Sequence, residues 1–295
     1  MNSSLSPTPL LKAGWLRVIL YILALIIGAG TVLASFILGL NKANPDMTRI
    51  QELLTGNRAA VIVSIFFVLT VLITYVFRRW VDRKSFISLG LGMNGHIRDA
   101  VSGGALAVFI MGASCLIIQA TGHLKWMDFI FDPKFQFLVL GTLGLTAFCE
   151  ELIFRGYILG NLLESFPKWL ALAISTLLYL GFHWTSAGFF PLLNVLILGL
   201  ITGLFYLYSR NLWFSVFFHW AWKYMAGPIL GLGDDTSARS FLQSSQLGDE
   251  NITGGRLGLQ GSAIVMAVSL LCAVALYLIL QKKLSLQSLP VPGRI

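Results

Sequence analysis

Eight times along this chain the sequence runs for about twenty residues with almost no charge, at roughly 15–40, 58–78, 99–120, 136–160, 169–187, 189–208, 212–230 and 261–281. In lipid every backbone N–H and C=O must find its partner inside the segment, so such runs are compatible with helices and with little else. The fold expected is therefore all-α: a polytopic integral membrane protein of about eight transmembrane helices. Composition agrees, since 12% of the 295 residues are charged and 56% are hydrophobic. A soluble domain carries about twice that share of charge, so water is not the main solvent of this surface.

The formal charge of +8 does not point to nucleic acid, because the basic residues form no single tract with interleaved aromatics. They sort by position instead. Lys12 and Arg17 precede or open the first run, Arg78, Arg79, Arg83, Lys84 and Arg98 crowd the second connection, and Lys282, Lys283 and Arg294 follow the last run. The positive-inside rule then places both termini and that connection in the cytoplasm, which an even number of spans permits. The same basic cluster is suited to anionic lipid headgroups, so membrane lipids are expected partners. The first run is too long for a cleaved signal segment and reads as a retained helix. Cys115, Cys149 and Cys272 fall in apolar runs without metal-ligand spacing.

Three regions are expected: residues 1–130 with the first helices and the basic connection, 131–230 as a core of helices bearing polar residues, and 231–295 with a flexible polar loop and the last helix. Gly199 and Gly203 form a Gly-x-x-x-Gly pair that lets a neighbouring helix approach, and Gly141 and Gly144 serve the same end in the fourth run. Two motifs mislead. Gly90-Leu91-Gly92-Met93-Asn94-Gly95 fits a dinucleotide-binding pattern, but with no strand around it the expectation is a turn into the third helix. Gly231-Leu232-Gly233-Asp234 copies the Gly-x-Gly-Asp of presenilin-like aspartyl proteases, yet no apolar run supplies a second aspartate.

Inside the fourth run stand Glu150, Glu151 and Arg155. Ionisable groups in a membrane helix are costly unless paired or hydrated, so they are functional candidates by default. Residues four apart share a helix face, which makes Glu151 and Arg155 the natural ion pair and turns Glu150 elsewhere. By the same spacing Tyr179 shares a face with His183, and His219 with Lys223. Each alone reads as a packing residue or an interfacial anchor. Polar faces on three spans must meet each other or water, and Glu150, His183 and His219 around one hydrated pocket would supply a general base and proton carriers.

The ordered set Glu-Glu-x-x-x-Arg, aromatic-x-x-x-His and His-x-x-x-Asn on separate helices is the signature of the CPBP family, which includes the type 2 CAAX prenyl endopeptidases and relatives associated with bacteriocin immunity. This sequence resembles that family over about residues 85–227. Glu150, Glu151 and Arg155 match the first motif, Tyr179 and His183 the second, and His219 opens the third; Leu89-Gly90-Leu91 and Ser209-Arg210-Asn211-Leu212-Trp213 resemble its flanking stretches. The resemblance implies an intramembrane endopeptidase acting on a membrane-associated protein or peptide, in the plasma membrane of a prokaryote. It implies that Glu150 and His183 activate a water and that His219 helps to stabilise the oxyanion. Zinc held by Glu150, His183 and His219 and a metal-free activated water both remain open. The chain departs from the pattern at Lys223, where the family carries an amide. A lysine there either donates to an oxyanion or pairs with Glu150 and removes the base. The competing functions are accordingly a catalytically blunted scaffold or self-immunity protein and, with less support, a proton-coupled carrier.

Overall fold

The computed structural model describes residues 8–41, 56–184, 188–232 and 239–287, with the side chains of 36–58 and 283–287 left aside. The protein is an all-α polytopic membrane protein. Its helices are α1 (Gly14–Asn41), α2 (Gly56–Val76), α3 (Ile97–Ala120), α4 (Pro133–Glu151), α5 (Lys168–Phe182), α6 (Phe189–Ser209), α7 (Trp213–Tyr224) and α8 (Ala263–Gln287). α2 runs on through a π-helical turn at Phe77–Val81, α4 through Leu152–Leu159 and Gly160–Leu162, and α7 through Met225–Ile229.

All eight runs form helices, but six segments are long and apolar enough to cross a bilayer by themselves among the described residues. α5 has 15 residues and α7 has 12, and at about 1.5 Å per residue neither alone matches a hydrocarbon core of about 30 Å. α7 runs on past its polar residues through the π-helical turn that contains Pro228. α5 stops at His183, which takes a cap conformation.

α1, α2 and α8 carry exposed leucines, isoleucines and valines such as Ile27, Val68, Leu72 and Leu271. That surface has its natural solvent in lipid. The centre is packed through small residues. A Cβ on Gly103 of α3 would stand 2.2 Å from the backbone oxygen of Phe214 on α7, so these helices meet backbone to backbone. A Cβ on Gly203 would lie 2.5 Å from Leu172 Cδ1, and one on Gly199 3.0 Å from Thr176 Cγ2. The Gly-x-x-x-Gly pair of α6 thus faces α5. Gly144 does the same for the Trp220 ring, whereas Gly141 has open space around it.

The stretch after α7 differs from a flexible loop. Leu242–Gln246 (β2) pairs antiparallel with Leu124–Phe129 (β1), which joins α3 to α4, and a short helix at Glu250–Thr253 and a 3-10 segment at Gly255–Gly261 follow. Local hydrogen bonds order it: the Asp249 carboxylate accepts from Asn251 N at 2.8 Å, and Asn194 of α6 donates to the Gln260 and Ser262 carbonyls at 3.0 Å each. Composition alone reads such a Gly- and Ser-rich stretch as unstructured because these partners are distant in sequence. Asp234 lies outside the described residues.

At the opposite end the charges also depart from a simple topological sorting. Arg17 and Asp82 are fully buried and Arg78 nearly so. Asp82 accepts from Arg17 at 3.2 Å, Arg78 at 2.9 Å, the Tyr157 hydroxyl at 3.1 Å and Asn161 at 3.3 Å. Glu164 extends the network to Arg17 at 2.7 Å and Lys84 at 2.6 Å. Two of the basic residues that the charge pattern assigns to headgroups therefore clamp α1 and α2 to the far end of α4.

The glycine-rich stretch at 90–95 is a turn into α3, as expected. Gly90 adopts φ +100°, where a Cβ would lie 2.8 Å from the Arg210 carbonyl. Leu212 N donates to Gly90 O at 2.9 Å, and Asn211 donates to Gly92 O at 2.7 Å. The two flanking stretches singled out in the sequence are thus bonded to each other, fixing the start of α7.

Candidate active site

α4 begins with Asp132 as a cap, its carboxylate accepting from Phe135 N at 3.2 Å, and Pro133 follows where a missing N–H costs nothing. It reaches Glu150 and Glu151 at its last α-helical turn. Glu151 is fully buried, and its Oε1 receives Arg155 Nη1 at 3.3 Å. Arg155 also donates to Gly199 O at 3.2 Å and lies over the Tyr179 ring at 4.3 Å. The sequence gives no sign of the further bond to Glu151 Oε1, from His219 Nδ1 at 3.0 Å. It depends on α7 packing against α4, 68 residues away in sequence.

Glu150 points to the other side of α4. Its Oε1 accepts from Lys223 Nζ at 2.5 Å. Its Oε2 lies 3.1 Å from His183 Nε2 and 3.4 Å from His219 Nε2, buried and without a well-aligned hydrogen bond to either. His219 Nδ1 faces the Glu151 carboxylate and His183 Nδ1 the Tyr179 carbonyl at 3.2 Å, so each ring is held from its Nδ1 side and turns Nε2 toward Glu150 Oε2. The Tyr179 hydroxyl stands 3.4 Å from His219 Nε2. A water among these groups would find hydrogen-bonding partners on every side.

Glu150, His183 and His219 are a donor set of a kind that zinc takes, and the Lys223 ammonium weighs against a metal among them. Among the described residues no three His, Cys, Asp or Glu side chains are placed to hold an ion together. The Lys223 ammonium already sets a positive charge against Glu150, where a divalent cation would be repelled.

Two cavities meet at this cluster. The larger, about 540 Å³, is walled by α1, α2, α4 and α5 through residues such as Leu25, Phe67, Cys149, Ile153 and Leu178, and Glu150 lies in its wall. The smaller, about 40 Å³, is lined by Tyr179, His183, His219 and Lys223 together with Asn194 and Gln260. All of the site residues singled out in the sequence, Glu150, Glu151, Arg155, Tyr179, His183, His219 and Lys223, are thus within one connected network.

Comparison with known families agrees with the motif reading. Residues 132–225 match the family model described as type II CAAX prenyl endopeptidase Rce1-like. The matched stretch opens at the cap of α4 and closes two residues after Lys223, so it contains the whole network. This stretch is Rce1-like, as the three motifs imply, and the family implies a CAAX-type intramembrane protease. No curated protein and no solved structure matches the chain.

Proposed function

We propose that this protein is an intramembrane endopeptidase that hydrolyses a membrane-associated protein or peptide with a water activated by Glu150 together with His183. The observation that carries this reading is the convergence of Glu150 Oε2 with the Nε2 atoms of His183 and His219 beside a large apolar cavity. The cavity receives the apolar part of the substrate and brings its scissile carbonyl to the carboxylate. Glu150 Oε2 takes a proton from the water, and the hydroxide oxygen bonds to the carbonyl carbon. The C=O pair moves onto oxygen as an oxyanion, stabilised by His219. Collapse breaks the C–N bond, and the proton held by Glu150 goes to the leaving amine. Glu151 and Arg155 hold the His219 ring, and Lys223 fixes the rotation of the Glu150 carboxylate. In this reading the protein works in the plasma membrane of a prokaryote with both termini cytoplasmic, which the distribution of its basic residues supports.

The test is cleavage of candidate membrane substrates by the protein in vesicles. Glu150→Gln and His183→Ala should each lower turnover by about 10²–10⁴-fold, the range of a lost general base. Cleavage that ignores both substitutions would sink the mechanism.

A second reading has its own observation, the direct contact of Lys223 with Glu150. A carboxylate engaged by an ammonium is a weaker proton acceptor, and the protein would then be a scaffold or immunity factor. The readings part at Lys223→Asn: activity appearing in a protein whose wild type has none selects the scaffold.

A further inference from the structure

We infer that the small cavity behind His183 and His219 is the water inlet of the site, separate from the apolar cavity that takes the substrate. The inference deepens the proposed hydrolysis and rests on it for the use made of the water, but not for the water itself. In a hydrolase buried in a membrane the second reactant must reach the carboxylate while the first fills the approach. The lining of the larger cavity is apolar apart from Thr70, Thr146, Cys149 and Glu150, so an occupying hydrocarbon chain closes it to water.

The smaller cavity has the opposite character. At about 40 Å³ it exceeds the roughly 10–15 Å³ that one water requires, and it offers more than the two to four polar partners that such a water uses. One of these is buried and unpartnered. Asn194, a lining residue 3% exposed, commits its amide N–H groups to the Gln260 and Ser262 carbonyls, which leaves its buried Oδ1 with no partner. The Tyr179 hydroxyl, both imidazoles and the Lys223 ammonium complete a path of polar groups from Asn194 to Glu150 Oε2. Gln260, at the far rim, is exposed in the 3-10 segment before α8, and this gives the path an outer mouth. Glu150 in the wall of the larger cavity and the two histidines in the lining of the smaller thus join the substrate side to the water side.

X-ray radiolytic labelling of the wild-type protein in lipid nanodiscs, with the solvent switched to ¹⁸O-water, reads the hydration of each cavity directly. Leu198 and Trp222, which line the small cavity, should incorporate ¹⁸O promptly after the switch, whereas Phe66 and Phe67 of the large cavity should not. Absence of label at both Leu198 and Trp222 overturns the inference, whether or not the protein cleaves anything. Val195→Phe fills the small cavity from α6; it should erase that label and lower kcat by at least about tenfold with KM within about twofold. Val195→Ala, which cannot block the path, should keep both label and kcat. Loss of label in Val195→Phe with kcat intact would also overturn the inlet. If the wild type labels as expected yet cleaves no substrate, the peptidase reading fails alone and the hydrated site stands.

Discussion

At the scale of single residues, Lys223 separates this site from an amide-bearing one. Its Nζ lies 2.5 Å from Glu150 Oε1, the only bond among the described residues that this oxygen makes. Asparagine can orient the same carboxylate through a neutral N–H, whereas methionine fills the space and donates nothing. We therefore expect Lys223→Asn to keep turnover within about tenfold and Lys223→Met to lose about 10²-fold, the scale of a missing polar contact at a reacting centre; initial rates on one substrate decide. Most of this site was legible in the sequence because helix phase is local. Spacing by four picks out Glu151 with Arg155, Tyr179 with His183, and His219 with Lys223. The bond from His219 to Glu151 was not legible, since it depends on how α7 sits against α4, and the pairing of Lys223 with Glu150 was one of the two alternatives that the sequence left open.

At the scale of elements, the helices were legible and their lengths less so. Apolar runs locate α1 to α8, but not the stop of α5 at His183 or the π-helical turn that continues α7. Packing through glycine predicts that Gly103→Val drives α3 from α7, because its Cβ meets a backbone oxygen that cannot move aside. The cost should be about 1–3 kcal/mol or more, visible as a lower unfolding midpoint in detergent. The buried charge cluster was missed because net charge by segment hides an aspartate among arginines, although Arg78 and Asp82 are four apart. Removing Asp82 takes the shared carboxylate from two buried guanidinium groups, leaving Arg17 with Glu164 and Arg78 with Ser88, so Asp82→Ala should destabilise by about 3 kcal/mol in the same assay. Glu164 gives this cluster a pH dependence. Burial alone would raise its carboxyl, but hydrogen bonds and charge from Arg17 and Lys84 outweigh that and hold it below the ordinary carboxylate range. Its stabilising contribution is complete above the unfolded value of about 4.3 and is lost as pH falls through the depressed folded value. Glu164→Gln should flatten the acid side of the midpoint-versus-pH curve, and a curve of unchanged shape would refute it.

At the scale of the molecule, the proposed topology of eight spans would put both termini on the side of Arg79, Arg83, Lys84 and Arg98, and the β-ribbon and the 3-10 segment on the other. Reporter fusions should find both termini on the cytoplasmic side; a ribbon facing the cytoplasm would invert the assignment. The charge cluster and the reacting cluster belong to one helical rod, with the π-helical stretch Leu152–Leu159 between them. A π-helix bonds i to i+5, so it holds more chain per turn than the α-helices on either side. Each residue of surplus sets the twist of one half of the rod against the other by about 100°. Deleting a single residue such as Ile153 lets the stretch relax to ordinary α-helix, a change that costs a folded rod little by itself. It nevertheless turns the carboxylates away from the histidines while Tyr157 and Asn161 stay with Asp82. The wide turn thus works as the indexing joint of a shaft, making one span answer to two fixed neighbourhoods at once.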